Sequence, residues 1–161
     1  MFRRGRTGTR MGRHGIAGML AASAVFLGLS VAVPATASAD GWGCAGSQID
    51  SYPVTAGTLK MGTVYLYWDN NTGRNCAVNV AYGSFYGRQK EMSISMYPCA
   101  YGADGDCDQV SPTATDDGSF KYYAGPVSVP ARGLCISLLA QIVDSYYGVG
   151  QAGPWHGVHC K

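Results

Sequence analysis

The chain has 161 residues, of which 14% are charged, with 23 glycines, 11 tyrosines and six cysteines. Its formal net charge of +2 owes everything to five arginines among the first thirteen residues; from Asp40 onward seven cations face ten carboxylates, a net of −3. Without the leader no basic footprint remains for a nucleic acid, and the shortage of Glu and Lys from Asp40 onward argues against a helical fold.

Arg3, Arg4, Arg6, Arg10 and Arg13 precede an apolar run, Ile16 to Val33, which Pro34 and the small-residue triplet Ala37-Ser38-Ala39 close. This order is that of a secretory signal peptide, residues 1–39, with cleavage after Ala39; an uncleaved anchor is the alternative. Residues 40–161 are then a single secreted β-rich domain of 122 residues, enough for one modest core. Export places the cysteines where thiols oxidise, so an extracellular location is expected.

The first clear strand is Lys60 to Asp69, in which Val64, Leu66 and Trp68 alternate with Thr63, Tyr65 and Tyr67. Asn70-Asn71-Thr72-Gly73 is a turn signal, and Arg74 to Tyr82 returns with Cys76, Val78 and Val80 on one face and Asn75, Ala77 and Asn79 on the other. After a Gly-rich loop at residues 83–88, Glu91 to Tyr97 alternates again, with Met92, Ile94 and Met96 inward. Pro98 to Gly118 reads as a long Asp-rich loop, and Ser119 to Ala124 as a short strand broken by Gly125-Pro126 and resumed at Val127 to Val129. Leu134 to Val143 is a further strand, Tyr146 to Val149 a weaker one, and the tail from Gly150 is loop or edge. Short strands divided by turn residues predict an all-β fold, a small disulfide-stapled β-sandwich or partly open β-barrel, without choosing between them.

Six cysteines admit fifteen pairings. Cys99 and Cys107 flank the Asp-rich loop and are expected to pin it. Cys76 and Cys135 each lie on a strand and fit a bridge between strands, which leaves Cys44 for Cys160. Asp104, Asp106 and Asp108 form an alternating acidic run that resembles the start of a calcium loop, but no Gly turns it and no Glu closes it, so a solvated loop tip accounts for it as well. His156 and His159 sit among Pro154 and Gly157, which oppose the helix their spacing would need to share a metal.

No cofactor is expected, and no catalytic residue is assigned. G-x-S-x-G is absent, nothing marks Ser84 as activated, and Glu91, Asp116 and Asp117 are only the carboxylates any such domain offers. The surplus lies in aromatics. If Val64, Leu66 and Trp68 face the core, Tyr65 and Tyr67 stand on the opposite face, and Tyr97, Tyr123, Tyr146, Tyr147 and Trp155 are also expected to reach solvent; Tyr65, Tyr67 and Trp155 are the candidate binding residues, since flat rings with a polar edge suit sugar rings and interfaces. A second packed layer over that face is the competing expectation.

Two blocks, GTVYLYWDNNTGRNCAVNV at 62–80 and DDGSFKYYAGPVSVPARGLCI at 116–136, resemble the spore-associated protein A family of small secreted actinobacterial proteins. The resemblance covers most of the chain beyond the leader, and Asn71 to Cys76, Tyr123 to Val127 and Gly133-Leu134-Cys135 are its most specific stretches. It implies Cys44, Cys76, Cys135 and Cys160 as a common framework, brings no catalytic residues, and implies association with spores rather than a reaction. The chain departs from the pattern at the added Cys99 and Cys107 loop and at Ser137-Leu138-Leu139-Ala140, where a Trp-Gly-Gly-like segment would follow the cysteine. The expectation is a secreted, non-enzymatic β-domain of the spore or cell-wall surface, contacting glycan through exposed aromatics, with no nucleic-acid partner and, after cleavage, no membrane. A small secreted hydrolase or hydrolase inhibitor is one alternative, and a self-associating structural protein of the surface is another.

Overall fold

The computed structural model describes residues 41–101 and 106–160, so the expected signal peptide, its cleavage site, Asp40 and Asp104 lie outside the described residues. Within them the chain forms nine antiparallel strands: β1 Ser47–Ala56, β2 Leu59–Asp69, β3 Arg74–Ala81, β4 Lys90–Tyr101, β5 Cys107–Gln109, β6 Ala114–Phe120, β7 Tyr123–Pro130, β8 Cys135–Asp144 and β9 Gly148–Ala152. They make one sheet in the order β5-β4-β8-β9-β1-β2-β3-β7, with β6 also on β4. β5 takes the last residues of that edge of β4, Cys99–Tyr101, and β6 takes Lys90–Met96. The sheet curls into a half-barrel. β9 meets β1 only at Thr55 and Gln151, and the opposite margins β6 and β7 are joined by the two-residue turn Lys121-Tyr122. Across that junction Asp116 Oδ2 accepts a hydrogen bond from the Gly125 amide at 2.6 Å.

The alternation seen in the sequence sets the inner face. Val64 and Leu66 of β2, Ala77 of β3, Met92, Ile94 and Met96 of β4, Val127 and Val129 of β7, and Ile136, Leu138, Ala140 and Ile142 of β8 are buried in one cluster. Each large side chain among them contributes roughly 1.5–3 kcal/mol on leaving water. Gly62 shares this face because nothing larger fits: a Cβ there would lie 2.5 Å from Ile142 Cδ1 and 2.7 Å from the Val80 carbonyl oxygen. Asn79 is fully buried beside it. Its amide donates to the carbonyls of Ser93 and Gln141, both at 2.9 Å, which lie directly opposite each other on β4 and β8. A single side chain thereby ties β3 to the facing wall, where an unpaired donor would be costly. Asn79 Oδ1 has no hydrogen-bond partner among the described residues.

The outer face of β2 and β3 is covered too. Cys44, Tyr67, Cys76, Val78 and Val80 form a second buried cluster with Trp42 and Tyr65 packed against it. The segment before β1 acts as a strap over these strands, anchored by a disulfide from Cys44 to Cys76. This corrects the expected exposure of Tyr65 and Tyr67: Tyr67 is 5% exposed and Tyr65 half-buried.

The disulfide pattern also differs from expectation. The bridges are Cys44–Cys76, Cys99–Cys107 and Cys135–Cys160, so Cys44–Cys160 and Cys76–Cys135 are replaced. Cys76 looks outward from β3, whereas β8 is separated from β3 by three strands of the sheet. Cys135 lies directly opposite Cys99, so two bridges stand side by side at one end. Gly157 fits against both, where a Cβ would lie 2.9 Å from Cys135 Cβ and 3.3 Å from Cys99 Sγ.

Three local expectations are revised as well. β1 carries no strong alternation and was not foreseen. The Asp-rich stretch contains β5 and most of β6 rather than a continuous loop. Gly125-Pro126 does not end a strand, since β7 passes through it with a register shift opposite Ala77 and Asn79.

Candidate functional site

Because every neighbouring pair is antiparallel, the connections β1–β2, β3–β4, β6–β7 and β8–β9 all fall at one end of the half-barrel. The β2–β3 and β7–β8 turns and the paired bridges of Cys99 and Cys135 occupy the other, and the strap extends from there over the sheet until the Trp42 ring meets that of Tyr123, with centroids 5.5 Å apart. The first end is rich in tyrosine. Tyr82 and Tyr86 come from the β3–β4 connection, Tyr122 from β6–β7, and Tyr146 and Tyr147 from β8–β9, and all five are exposed, Tyr146 by 84%.

These rings are organised. Tyr86 and Tyr122 tilt together with centroids 4.9 Å apart, and Tyr146 meets Tyr147 edge-on at 4.8 Å. Tyr147 in turn meets the buried ring of Phe85 at 5.6 Å, at the close of the 3₁₀ turn Gly83–Phe85. Such offset and edge contacts suit the quadrupoles of the rings and hold them without burying their faces. Cations are interleaved: Lys60 Nζ lies 4.8 Å from the centre of the Tyr82 ring, and the Arg88 guanidinium 5.4 Å from that of Phe85.

Backbone hydrogen bonds fix the turns to one another. The Ala81 amide donates to Tyr122 O, the Tyr82 amide to Met61 O and the Gly87 amide to Lys121 O. Lys90, only 7% exposed, donates from Nζ to Arg88 O at 2.8 Å and to Lys121 O at 3.0 Å. Burial, together with the nearby Arg88 charge, lowers its amine below the ordinary lysine value, while Asp144 opposes the shift. Asp144 accepts from the Tyr146 and Tyr147 amides at 3.0 and 3.2 Å and pairs with Arg88. The Tyr146 amide is the chief reason its carboxyl stays below the usual range. Arg88, Glu91, Ser119, Val143 and Asp144 line a groove of about 500 Å³ across β6, β4 and β8 beside these rings.

The residues singled out in the sequence do not form one surface. Tyr65 and Tyr67 lie under the strap, and Trp155, 56% exposed, stands beyond β9, its carbonyl near the Ser137 hydroxyl of β8. Asp106 and Asp108 are exposed, and among the described residues no three His, Cys, Asp or Glu side chains are grouped to hold a metal. His159 is occupied elsewhere: its Nε2 lies 3.1 Å from Asp50 Oδ2, to which the Tyr52 hydroxyl donates at 2.7 Å. Ser84 is exposed in the β3–β4 connection, and among the described residues no His or carboxylate hydrogen-bonds to it. Tyr146 and Tyr147 are exposed as expected, but Tyr82, Tyr86 and Tyr122 sit at or beside turns, outside the strand alternation that points to Tyr65 and Tyr67, and nothing in the sequence groups the five.

Over 129 residues the chain is 32% identical to spore-associated protein A of Streptomyces coelicolor, a match that covers 73% of each chain. The chain belongs to the spore-associated protein A family. The relation is a distant one. No family model matches the chain, and no solved structure does. Within the spore-associated protein A family this member is a small three-disulfide β-domain with five exposed tyrosines on the turns of one end.

Proposed function

We propose that this protein is exported and serves, without catalysis, as a component of the spore or cell-wall surface, holding glycan on its tyrosine-rich end. The observation that carries this reading is the set of five exposed tyrosines on three adjacent connections, ordered by ring contacts and by a shared hydrogen-bond scaffold. Rigid amphipathic rings offer large contact area at little entropic cost, and a sugar ring presents both the apolar face and the hydroxyls that match them. Three disulfides in a domain of this size fit an oxidising location, and the kinship with a protein named for spores supports the place of action.

The test is retention of the purified, oxidised protein on spores, vegetative cell walls and soluble glycans. The wild type is expected to be retained, Tyr86→Ala/Tyr122→Ala and Tyr146→Ala/Tyr147→Ala to be released, and Trp155→Ala to bind as the wild type does. Absence of retention on every one of these materials rules the reading out.

A further inference from the structure

The two ends of the half-barrel differ in charge as well as in rings. At the disulfide end the described acids Asp50, Asp69, Asp106 and Asp108 outnumber the cations Arg74 and Arg132. Those two arginines are engaged there, Arg74 with the hydroxyl and carbonyl of Ser128 and Arg132 with Asn70 O. The tyrosine end holds Lys60, Arg88, Lys90 and Lys121 against Glu91 and Asp144, while Asp116 and Asp117 lie midway along β6 and Asp116 is engaged by the Gly125 amide. Asp144 is already met by Arg88 and two backbone amides. Glu91 lies on β4 opposite Ser119, two residues before Lys121, and in the other half of the sheet from Lys60. Lys60 and Lys121 are exposed and have no carboxylate partner among the described residues.

Their positions matter. Lys60 lies over Tyr82. Tyr82 follows β3, whose last residue, Ala81, donates to the carbonyl of Tyr122. Tyr122 tilts against Tyr86 and is the chain neighbour of Lys121. The row Lys60, Tyr82, Tyr122 and Tyr86, Lys121 therefore brings three rings together with one ammonium group over Tyr82 and a second, exposed lysine in the turn that carries Tyr122, on a protein whose charge beyond the leader is net negative. A uniformly acidic domain would repel an acidic polymer; this end does not.

We infer that the ligand of the tyrosine end is an anionic glycan, a polymer of sugar rings carrying phosphate or carboxylate groups, whose rings stack on Tyr82, Tyr86 and Tyr122 while its charges pair with Lys60 and Lys121. This rests on the glycan reading above and narrows it to one chemistry. Ring stacking supplies contact that salt does not screen, and the two ammonium groups supply a component that salt weakens.

The experiment measures binding of the oxidised protein to phosphomannan, polygalacturonate and neutral mannan at physiological and at high salt. Binding is expected on one or both acidic polymers, weak on neutral mannan, and reduced by salt; which acidic polymer binds tells phosphate from carboxylate. Lys60→Gln/Lys121→Gln should bind about five- to tenfold more weakly, and Tyr86→Ala/Tyr122→Ala should lose binding. The lysine variant keeps its fold, because both side chains are exposed and Lys121 contributes only its main-chain carbonyl to the scaffold; intact disulfides and an unchanged circular-dichroism spectrum verify this. Equal binding to neutral mannan with no effect of the lysine variant overturns the inference and leaves the glycan reading standing. Binding to acidic polymers that ignores the tyrosine variant overturns it as well, because charge alone then suffices. Binding to none of the three polymers, with retention on spores or walls, overturns the inference only; no retention anywhere removes both.

Discussion

The ammonium group of Lys90 lies 3.0 Å from the carbonyl oxygen of Lys121, which also takes the Gly87 amide at 2.9 Å. One oxygen thus joins the β3–β4 connection, bearing Tyr86, to the β6–β7 turn, bearing Tyr122. The contact holds together the two segments whose rings tilt against each other at 4.9 Å, so Lys90 is a positioning residue for the candidate site.

Lys90→Met keeps the length of the side chain and removes the donor. It is expected to cost about 1–2 kcal/mol, since two carbonyls lose a charged partner while the burden of burying the charge is lifted. The urea midpoint measures this. The pH dependence has a definite sign. The folded amine has a lowered pKa, so the unfolded chain binds more protons between that value and the ordinary lysine value of 10.5. The contribution of Lys90 to stability therefore rises with pH across this window and is at its lowest below it. The difference between wild type and Lys90→Met should grow in the same direction; a difference that is flat through this window would show that Lys90 is not desolvated.

What was legible in the sequence follows the hydrophobic pattern. The hairpin of β2 and β3 was read within a residue or two of its bounds because Val64 and Leu66 alternate cleanly and Asn70 to Gly73 marks the turn. β6 was taken for loop because its inward positions are Ala114, Asp116, Gly118 and Phe120, which give no apolar period. β1 was missed for a similar reason: only Val54 in it is fully buried, and Pro53 stands beside it. Alternation says which residues share a face, and it does not say whether a second layer covers that face. This is why Cys76 was matched to Cys135 and why Tyr67 was expected in solvent. The candidate site lay outside this logic, since its rings come from turns that only the strand order brings together.

The strap provides the test of pairing. Peptide mapping should recover Cys44 with Cys76 and Cys135 with Cys160. Loop-entropy arithmetic for sequence separations of 32, 25 and 8 residues gives about 3.7, 3.5 and 2.5 kcal/mol for the three bridges. Cys99→Ser/Cys107→Ser should therefore be the least destabilised of the double variants, and Cys44→Ser/Cys76→Ser should lose about 1 kcal/mol more. Cys44→Ser/Cys76→Ser should also raise the fluorescence response of Tyr67 and Trp42 to a soluble quencher, because the strap no longer holds the outer face of β2 and β3 closed. Cys99→Ser/Cys107→Ser should leave that response unchanged.

The junction of β6 and β7 depends on Asp116, which takes the Gly125 amide at 2.6 Å from the middle of a strand otherwise bound only to β4. Asp116→Ala leaves that half-buried amide unpaired and should lower stability by about 1–2 kcal/mol. Asp116→Asn retains an acceptor and should cost less. Hydrogen exchange locates the effect: in Asp116→Ala the Gly125 amide should exchange faster while those of β2 and β3 keep their protection. Loss of protection across the whole sheet would mean that the contact maintains the global fold and not only this margin.

The tail is fastened by Asp50, and this contact should fail in acid. Burial raises the Asp50 carboxyl, but hydrogen bonds from the Tyr52 hydroxyl, the Ser51 amide and His159 outweigh it and hold the group below its ordinary value. Tyr52 answers in the opposite direction, its hydroxyl raised by burial and by donation to that carboxylate. A carboxyl with a lowered folded pKa contributes stability that is present above the unfolded value and lost as pH falls through the folded one. Asp69 and Asp144 are lowered too, so the protein should lose stability below about pH 4. At neutral pH Asp50→Asn should cost about 1 kcal/mol, a modest figure because the group is partly exposed. As the solution is acidified through this range, the wild type loses the same contribution and the two proteins should converge. Because His159 adjoins Cys160, whose bridge to Cys135 keeps the tail attached, the acid form should loosen locally at residues 153–160 without releasing the tail. Urea midpoints at neutral pH and at about pH 3, where the carboxyl is protonated in the unfolded chain, decide the matter: a gap between wild type and Asp50→Asn that persists unchanged in acid would show that the charge of Asp50 does not hold the tail.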